Sequence, residues 1–261
     1  MADADKYIRI ERLDKTYASP RGPVKALEGI SLDIAQHEFV SVLGPSGCGK
    51  STLLKCLAAL EGITGGSISI GGVTVAGPPD NMGIVFQRDV LLDWRTILDN
   101  VLVTAEFRNL SRAQYEPRAM QLLKLFGLEE FARRFPWELS GGMRQRASIC
   151  RALLVDPELL LMDEPFGALD AMTRDELNLE LQRMWTENRK TVLFITHSIT
   201  EAVYLSDRVV VMSRNPGRIA EIISVDLPRP RALSVRETPE FGRYTAHIRE
   251  LFTVMGVLKD S

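Results

Sequence analysis

The sequence predicts an α/β fold: a mainly parallel sheet, an antiparallel β layer ahead of it, and a helical insertion within it. Three observations carry this. The apolar runs Leu159–Met162, Val192–Ile195 and Val209–Met212 are separated by helical patterns, as buried parallel strands are. The first third of the chain alternates short β-rich runs with turns. From Leu98 to Phe135 the apolar residues recur at helical spacing instead.

In chain order, Tyr7–Leu13 and Gly29–Ile34 read as strands, with a turn at Pro20–Pro23. Phe39–Leu43 is a buried strand that runs into a Gly-rich loop, and a helix starts near Lys50. Ser67–Val75 alternates like an exposed antiparallel pair, and Ile84–Phe86 is another short strand. In the helical insertion, Met120, Leu122, Leu123 and Phe126 mark the helical spacing, and Pro136 closes it. Leu177, Leu181 and Met184 form the inner face of a helix from Asp170 to Asn188. Ile219–Val225 is a further strand, Leu227–Arg231 a Pro/Arg-rich linker, and Glu237–Leu258 a helical tail too short for a separate regulatory domain.

Composition narrows the classes. Apolar residues make up 45% of the 261 residues and charged residues 25%, which excludes collagen, coiled coil and intrinsic disorder as overall descriptions. A formal net charge of −2 gives no general attraction to nucleic acid, and no nucleic-acid partner is expected. The longest uncharged stretch, Gly62–Pro79, carries six Gly and two Pro and cannot be a membrane helix. The start, Met1–Lys6, lacks the basic and apolar regions of a signal peptide. Cys48, Cys56 and Cys150 have neither zinc nor CxxC spacing and read as reduced thiols of a cytosolic protein, so any role at a membrane comes through a partner.

Two motifs carry chemistry. Gly44-Pro45-Ser46-Gly47-Cys48-Gly49-Lys50-Ser51, followed by Thr52, matches G-x-x-x-x-G-K-[ST] between an apolar strand and a helix. Its glycines let backbone N–H groups turn inward around phosphate oxygens, and the helix N-terminus adds partial positive charge. Lys50 would bridge β- and γ-phosphates and Ser51 would offer a hydroxyl to Mg²⁺. Alone, this motif leaves kinases, GTPases and transport ATPases open. The second motif, Leu159-Leu-Leu-Met-Asp163-Glu164, ends a buried strand in two carboxylates, at the edge where open α/β sheets bind ligands. Asp163 would hold Mg²⁺ through its water shell, and Glu164 would act as general base on the attacking water.

Leu139-Ser140-Gly141-Gly142-Met143-Arg144-Gln145-Arg146 begins 24 residues before Asp163. Alone, Ser-Gly-Gly reads as a helix-capping turn with exposed amides. In this order and spacing, with Gln87, Ala168-Leu169-Asp170 and His197, the chain resembles the ATPase subunit of ABC transporters from about Tyr7 to Pro230. The resemblance implies a P-loop NTPase core of the ABC ATPase kind. Its RecA-like part would span about 1–90 and 151–226, the helical subdomain about 91–150 and the tail 227–261. It also implies two copies packed head to tail, with ATP and Mg²⁺ between the phosphate loop of one and the signature of the other. Ser140, Gly141 and Gly142 would then meet the γ-phosphate in trans, and Asp170 would shape the dimer contact. Gln87 would sense Mg²⁺ and the attacking water, and His197 would bind the γ-phosphate. Tyr17 is similar to the aromatic that stacks on adenine, its alternative being a core position.

Only 52 residues separate Gln87 from Leu139, which leaves no room for the coiled coil of a repair ATPase. Each motif occurs once, against a tandem protein, and Glu164 and His197 are both present, against a silent subunit. The runs Val85–Thr96, Asp163–Ala171, Thr196–Arg208 and Ser213–Ile219 are similar to those of nitrate/sulfonate/taurine importer ATPases. That resemblance implies membrane permease subunits, an extracytoplasmic substrate-binding protein and a position on the cytoplasmic face of the membrane. Related importers carry nitrate, alkanesulfonates, taurine, or thiamine and pyrimidine precursors. The branch often has Leu-Pro-Trp where this chain has Leu92-Asp93-Trp94. Val90, Leu91, Leu92 and Trp94 would form the patch that receives the permease, or else belong to the core of the helical insertion.

Overall fold

The computed structural model describes residues 6–167, 169–214 and 216–258. The chain opens with β1 (Lys6–Tyr17) and β2 (Val24–Ala35), an antiparallel pair, then enters β3 (Phe39–Leu43) and α1 (Lys50–Leu57). The strands β4 (Gly65–Ile70), β5 (Val73–Thr74) and β6 (Met82–Val85) follow. A helical stretch comes next: α2 (Ile97–Phe107), α3 (Arg112–Leu125) and α4 (Gly141–Leu153). The second half alternates β7 (Leu159–Asp163), α5 (Ala171–Asn188), β8 (Thr191–Thr196), α6 (Ile199–Leu205) and β9 (Arg208–Met212), and closes with β10 (Ile219–Ser224) and α7 (Pro239–Val254). The start read as lacking a signal peptide is mostly outside the described residues, as are Ala168 and Asn215 of the quoted motif runs.

Two sheets form. One is antiparallel in the order β2-β1-β4-β5; the other runs β10-β9-β3-β8-β7-β6 and is parallel except for β10. Every residue of β3, β7 and β8 is buried, because both faces of this sheet are covered. Alternate residues of β7 therefore serve two cores. Leu159 and Leu161 face α1 and the antiparallel sheet with Val42, Leu54 and Ile195; Leu160 and Met162 face the helices with Phe194, Trp185 and Leu153. Leu177, Leu181 and Met184 are all buried, as their spacing predicts, and so are Leu123 and Phe126; Met120 and Leu122 are half-buried. Cys48, Cys56 and Cys150 are free and buried.

The parallel register positions everything that matters for chemistry. Leu43 pairs with Thr196, Asp163 with Ile195, and Val85 with Met162, so the C-terminal ends of β3, β8, β7 and β6 lie side by side. The loop at Gly44, the Asp163-Glu164 pair, Gln87 and His197 all leave from that edge.

Two expectations need correction. The first strand does not end at Leu13: irregular steps in the β1–β2 pairing let β1 continue to Tyr17, which pairs with Val24 at the strand end. Leu227–Arg231 is not a loose linker either. Arg231 is only 2% exposed, and its guanidinium donates to the carbonyls of Val203, Tyr204 and Ser206 at 2.9 Å and to those of Val225 and Leu227. Three of those carbonyls end α6, where a helix favours a cation. Burial pushes the Arg231 pKa down to about 10, which leaves it charged at neutral pH.

Arg231→Ala should therefore orphan several buried carbonyls and lower stability by about 2–4 kcal/mol. The measurement is the urea midpoint of the purified chain, which should fall with little change in slope. A midpoint equal to the parent's would show that the seating of Leu227–Arg231 does not depend on Arg231.

Candidate active site

The phosphate-loop sequence joins β3 to α1. Gly49 caps α1 at φ 95°, in the left-handed region, with no side-chain acceptor on the first amides. A Cβ there would lie 2.6 Å from Leu27 Cδ2 and 2.9 Å from the Ala26 carbonyl, so glycine is required twice over. Pro45 and Cys48 are buried, while Ser46 and Gly47 face solvent. Lys50 is buried. Its Nζ donates to the carbonyls of Gly44 at 2.8 Å and Pro45 at 3.2 Å, and lies 3.9 Å from Glu164 Oε1. The Ser51 hydroxyl donates to Asp163 Oδ1 at 3.0 Å. Beside it, the Tyr17 hydroxyl donates to Thr52 Oγ1 at 3.5 Å, so Tyr17 is half-buried against the first turn of α1.

Glu164 is the hub. It sits at φ 46°, unusual for a non-glycine residue, and its N–H is pinned to the Ile195 carbonyl at 2.9 Å. Its Oε2 accepts from Gln87 Nε2 at 3.3 Å and lies 3.3 Å from His197 Nδ1. Burial raises the pKa of the neighbouring Asp163 above the ordinary 3.8; the Glu164 charge adds to that, and the Ser51 hydroxyl opposes it.

Ser140 caps α4, its Oγ accepting from the Met143 N–H at 3.3 Å. Gly142 packs so closely on Leu169 that a Cβ would lie 2.7 Å from Leu169 Cδ2. Asp170 caps α5, accepting from the Thr173 N–H at 3.0 Å; those amides hold its carboxyl below the usual range. Among the described residues, no hydrogen bond or ion pair joins Ser140, Gly141, Gly142 or Asp170 to the phosphate loop. The chain thus brings together Lys50, Ser51, Asp163, Glu164, Gln87 and His197, and leaves the signature and Asp170 unjoined to them.

This geometry agrees with the comparisons. The sequence profile described as ABC transporter matches residues 27–167. An uncharacterised ABC transporter ATP-binding protein of Methanocaldococcus jannaschii is 46% identical over 97% of this chain and 91% of its own. The chain belongs to the ABC transporter ATPase family. Its chemistry is that of the family: ATP and water give ADP and phosphate, coupled to transport. A taurine import ATP-binding protein of Rhizobium johnstonii is 43% identical over 94% of this chain and 95% of its own, and a bicarbonate transport ATP-binding protein of Synechocystis is 43% identical over 86% and 81%. These relatives support the nitrate/sulfonate/taurine importer branch. A solved ATP-binding cassette, a dimer in a post-hydrolysis state with ADP and phosphate, superposes with a TM-score of 0.77 at 32% identity, covering 85% of this chain and all of that one.

Several residues of this ABC ATPase escaped the sequence reading as site residues. Gln145 Nε2 donates to the Phe86 carbonyl at 3.0 Å, Arg144 Nε pairs with Asp89 Oδ2 at 2.8 Å, and Arg151 donates to the carbonyls of Asp89 and Val90 at 2.9 and 2.7 Å. So α4 grips the chain on both sides of Gln87, at Phe86 and at Asp89–Val90. Their spacing within and just past the signature puts Arg144 and Arg151 on one helix face, which was the available signal. Glu201, buried, accepts from Thr196 Oγ1 at 2.5 Å and pairs with Arg174 at 3.4 Å, bracing the turn that carries His197.

The apolar patch after Gln87 divides. Val90 and Leu92 line a groove of about 380 Å³ with Ile84, Phe86, Phe107 and Arg151. Leu91 turns inward against the helical core. Trp94 is 74% exposed, so it is not core, and it lines a separate depression with Phe135.

The raised Asp163 pKa has a stability consequence. A carboxyl that binds its proton better folded than unfolded costs stability as pH rises from 3.8 through its folded value. Asp163→Asn should remove that cost. Its urea midpoint should exceed the parent's at pH 7, and the gap should narrow toward pH 4. A gap that widens on acidification would mean Asp163 is a stabilised carboxylate.

Proposed function

We propose that this chain is the ATP-hydrolysing subunit of an importer for a small nutrient of the nitrate, sulfonate or taurine kind, with Glu164 as general base. The observation that carries the reading is the convergence on Glu164. One carboxylate oxygen lies 3.9 Å from the Lys50 ammonium, and the other lies 3.3 Å from both Gln87 and His197. A lysine that binds phosphate, a carboxylate that accepts a proton and two groups that orient water thus share one small volume.

In this reading Lys50 exchanges its two loop carbonyls for β- and γ-phosphate oxygens, and the amides of 44–52 cradle the phosphates. Tyr17 stacks on adenine. Glu164 takes a proton from the attacking water, Gln87 orients that water and His197 holds the γ-phosphate. The site also suits Mg²⁺: Ser51 Oγ and Asp163 Oδ1 are hard oxygen donors 3.0 Å apart, with the Gln87 amide oxygen a third. Bound there, magnesium would neutralise charge developing on the phosphates. Among the described residues no group of three His, Cys, Asp or Glu could cage a metal, as suits an ion completed by phosphate and water.

The missing half of the site is supplied in trans: Ser140, Gly141 and Gly142 of a second copy close over the γ-phosphate, with Asp170 at the contact. The dimeric cassette with ADP and phosphate supports this arrangement. The groove of Val90, Leu92 and Phe107 receives a permease segment, the importer names of the relatives supporting such a partner. Among the described residues no helix is long and apolar enough to cross a membrane. In this reading the permease holds the chain at the inner face. An extracytoplasmic binding protein delivers the cargo. The RecA-like core, helical subdomain and tail divide near 90, 150 and 226, the second boundary falling inside α4.

Glu164→Gln should bind ATP, lose roughly 10²–10⁴-fold in turnover and accumulate as a dimer by size-exclusion chromatography, since a carboxamide fits but accepts no proton. Near-normal turnover would remove Glu164 from the base role. Mixed with Ser140→Arg subunits, it should form dimers with one intact composite site; failure of the two to associate with ATP would sink the head-to-tail arrangement.

Phe107 is 81% exposed, so Phe107→Glu should leave the melting temperature and the free subunit's ATPase unchanged. It should abolish co-purification with the permease, because a carboxylate would be desolvated without a partner. Retained co-purification would place the docking surface elsewhere.

A further inference from the structure

Lys15 is a buried lysine that the hydrolytic chemistry does not use. It is 7% exposed, and lysines are rarely so buried unless paired. Its Nζ donates to Glu61 Oε2 at 2.9 Å and to the Gly62 carbonyl at 2.7 Å. The same ammonium lies over the Tyr17 ring, 4.5 Å from the centroid, within cation–π range. The Glu61 hydrogen bond raises the Lys15 pKa, so the group is charged at neutral pH.

We infer that Lys15 is a positioning residue for the nucleotide base: it backs one face of the Tyr17 ring and fixes the plane on which adenine stacks. The inference rests on Tyr17 being the base platform, as proposed above.

Three contacts set the ring. Its backbone pairs with Val24, its hydroxyl reaches Thr52, and its inner face lies on Lys15. Two of these lead to one element. Thr52 is in the first turn of α1, and Glu61 and Gly62 follow its last turn. Lys15 and Tyr17 are two apart on β1, hence on one side of the strand. The platform is therefore referenced to the same helix whose N-terminus cradles phosphate, which holds the base plane and the phosphate loop at a set separation.

Two effects follow. A ring already immobilised loses less side-chain freedom when a base lands on it. A cation beneath the ring also draws π density toward itself, which eases the approach of a second π system from the opposite face. A lysine serving only to staple β1 to the end of α1 would do neither.

The test uses the purified full chain and titration calorimetry with two probes, ATP and inorganic tripolyphosphate, which has no base. Tyr17→Ala should weaken ATP about 5- to 100-fold and leave tripolyphosphate unchanged. Lys15→Met should weaken ATP about 3- to 5-fold, again with tripolyphosphate unchanged. In ATPase assays that loss should appear in KM with kcat retained. The double variant should bind ATP no more weakly than Tyr17→Ala, since Lys15 acts through the ring. Lys15→Arg should restore parental affinity. Lys15→Gln, which keeps a donor for Gly62 but no charge, is the second variant should Lys15→Met fail to fold, and it has the same expected pattern.

The outcomes separate. Equal weakening of ATP and tripolyphosphate would make Lys15 a fold staple and overturn the inference. So would additive losses in the double variant, or unchanged ATP affinity in Lys15→Met while Tyr17→Ala is impaired. If Tyr17→Ala itself binds ATP normally, the base-platform reading fails first and takes the inference with it.

Discussion

The parallel pairing of β3, β8, β7 and β6 sets where every reacting group can be. With Leu43 opposite Thr196 and Asp163 opposite Ile195, four strands end on one line, and the chain beyond each end has only a few residues before it must turn. Lys50, Glu164, His197 and Gln87 come from segments far apart in sequence, yet they meet within hydrogen-bond or near ion-pair distance. A slip of one residue in any of these ladders would send alternate side chains to the opposite face and dissolve the cluster. Close packing of β3, β7 and β8 against neighbours on both faces opposes such a slip.

Charge management is the second constraint. The site gathers one ammonium and two carboxylates in a partly buried space, and each is given an interim partner. Lys50 rests on two loop carbonyls, Asp163 on the Ser51 hydroxyl, and Glu164 between Gln87 and His197. Each of these charges is met mainly by neutral partners, so a phosphate can replace the Lys50–carbonyl bonds with bonds between opposite charges. Strain sits where function is concentrated: Glu164 keeps a left-handed backbone only because its N–H is tied to Ile195 and its carbonyl accepts from Gly167.

Mechanical connection follows from the same packing. The chain on both sides of Gln87, from Phe86 to Val90, is held by Arg144, Gln145 and Arg151 of α4, whose first turn is the signature. One helix therefore carries both the proposed trans phosphate contact and the floor of the apolar groove. Val90 is bonded to α4 through Arg151, whereas Leu92 is bonded to Asn100 of α2. On the far side, Arg231 joins the tail to α6, and Gln182 of α5 bonds both Arg231 and Tyr204, so the helices that follow Asp170 and His197 share one buried joint.

The sequence by itself determined the fold class, the strands of the parallel sheet and the motif residues. Strands covered on both faces must be continuously apolar, so Phe39–Leu43 and Leu159–Met162 are legible without neighbours. A phosphate cradle needs small residues, a lysine and a hydroxyl at set spacing, and no ordinary turn demands that combination. Tertiary structure alone decided that Tyr17 ends a strand, that Trp94 is surface and Leu91 core, and that Arg231 is buried. It also decided what grips Gln87's segment and what lies beneath the Tyr17 ring. The Glu61 partner of Lys15, the Gln182 partner of Arg231 and the grip on Gln87's segment lie 46 or more residues away in sequence, and the rest depends on which face of a strand or loop the chain covers. Local composition is blind to such partners, because a lysine or arginine reads as solvated until the carbonyls and ring that enclose it are brought in by the fold.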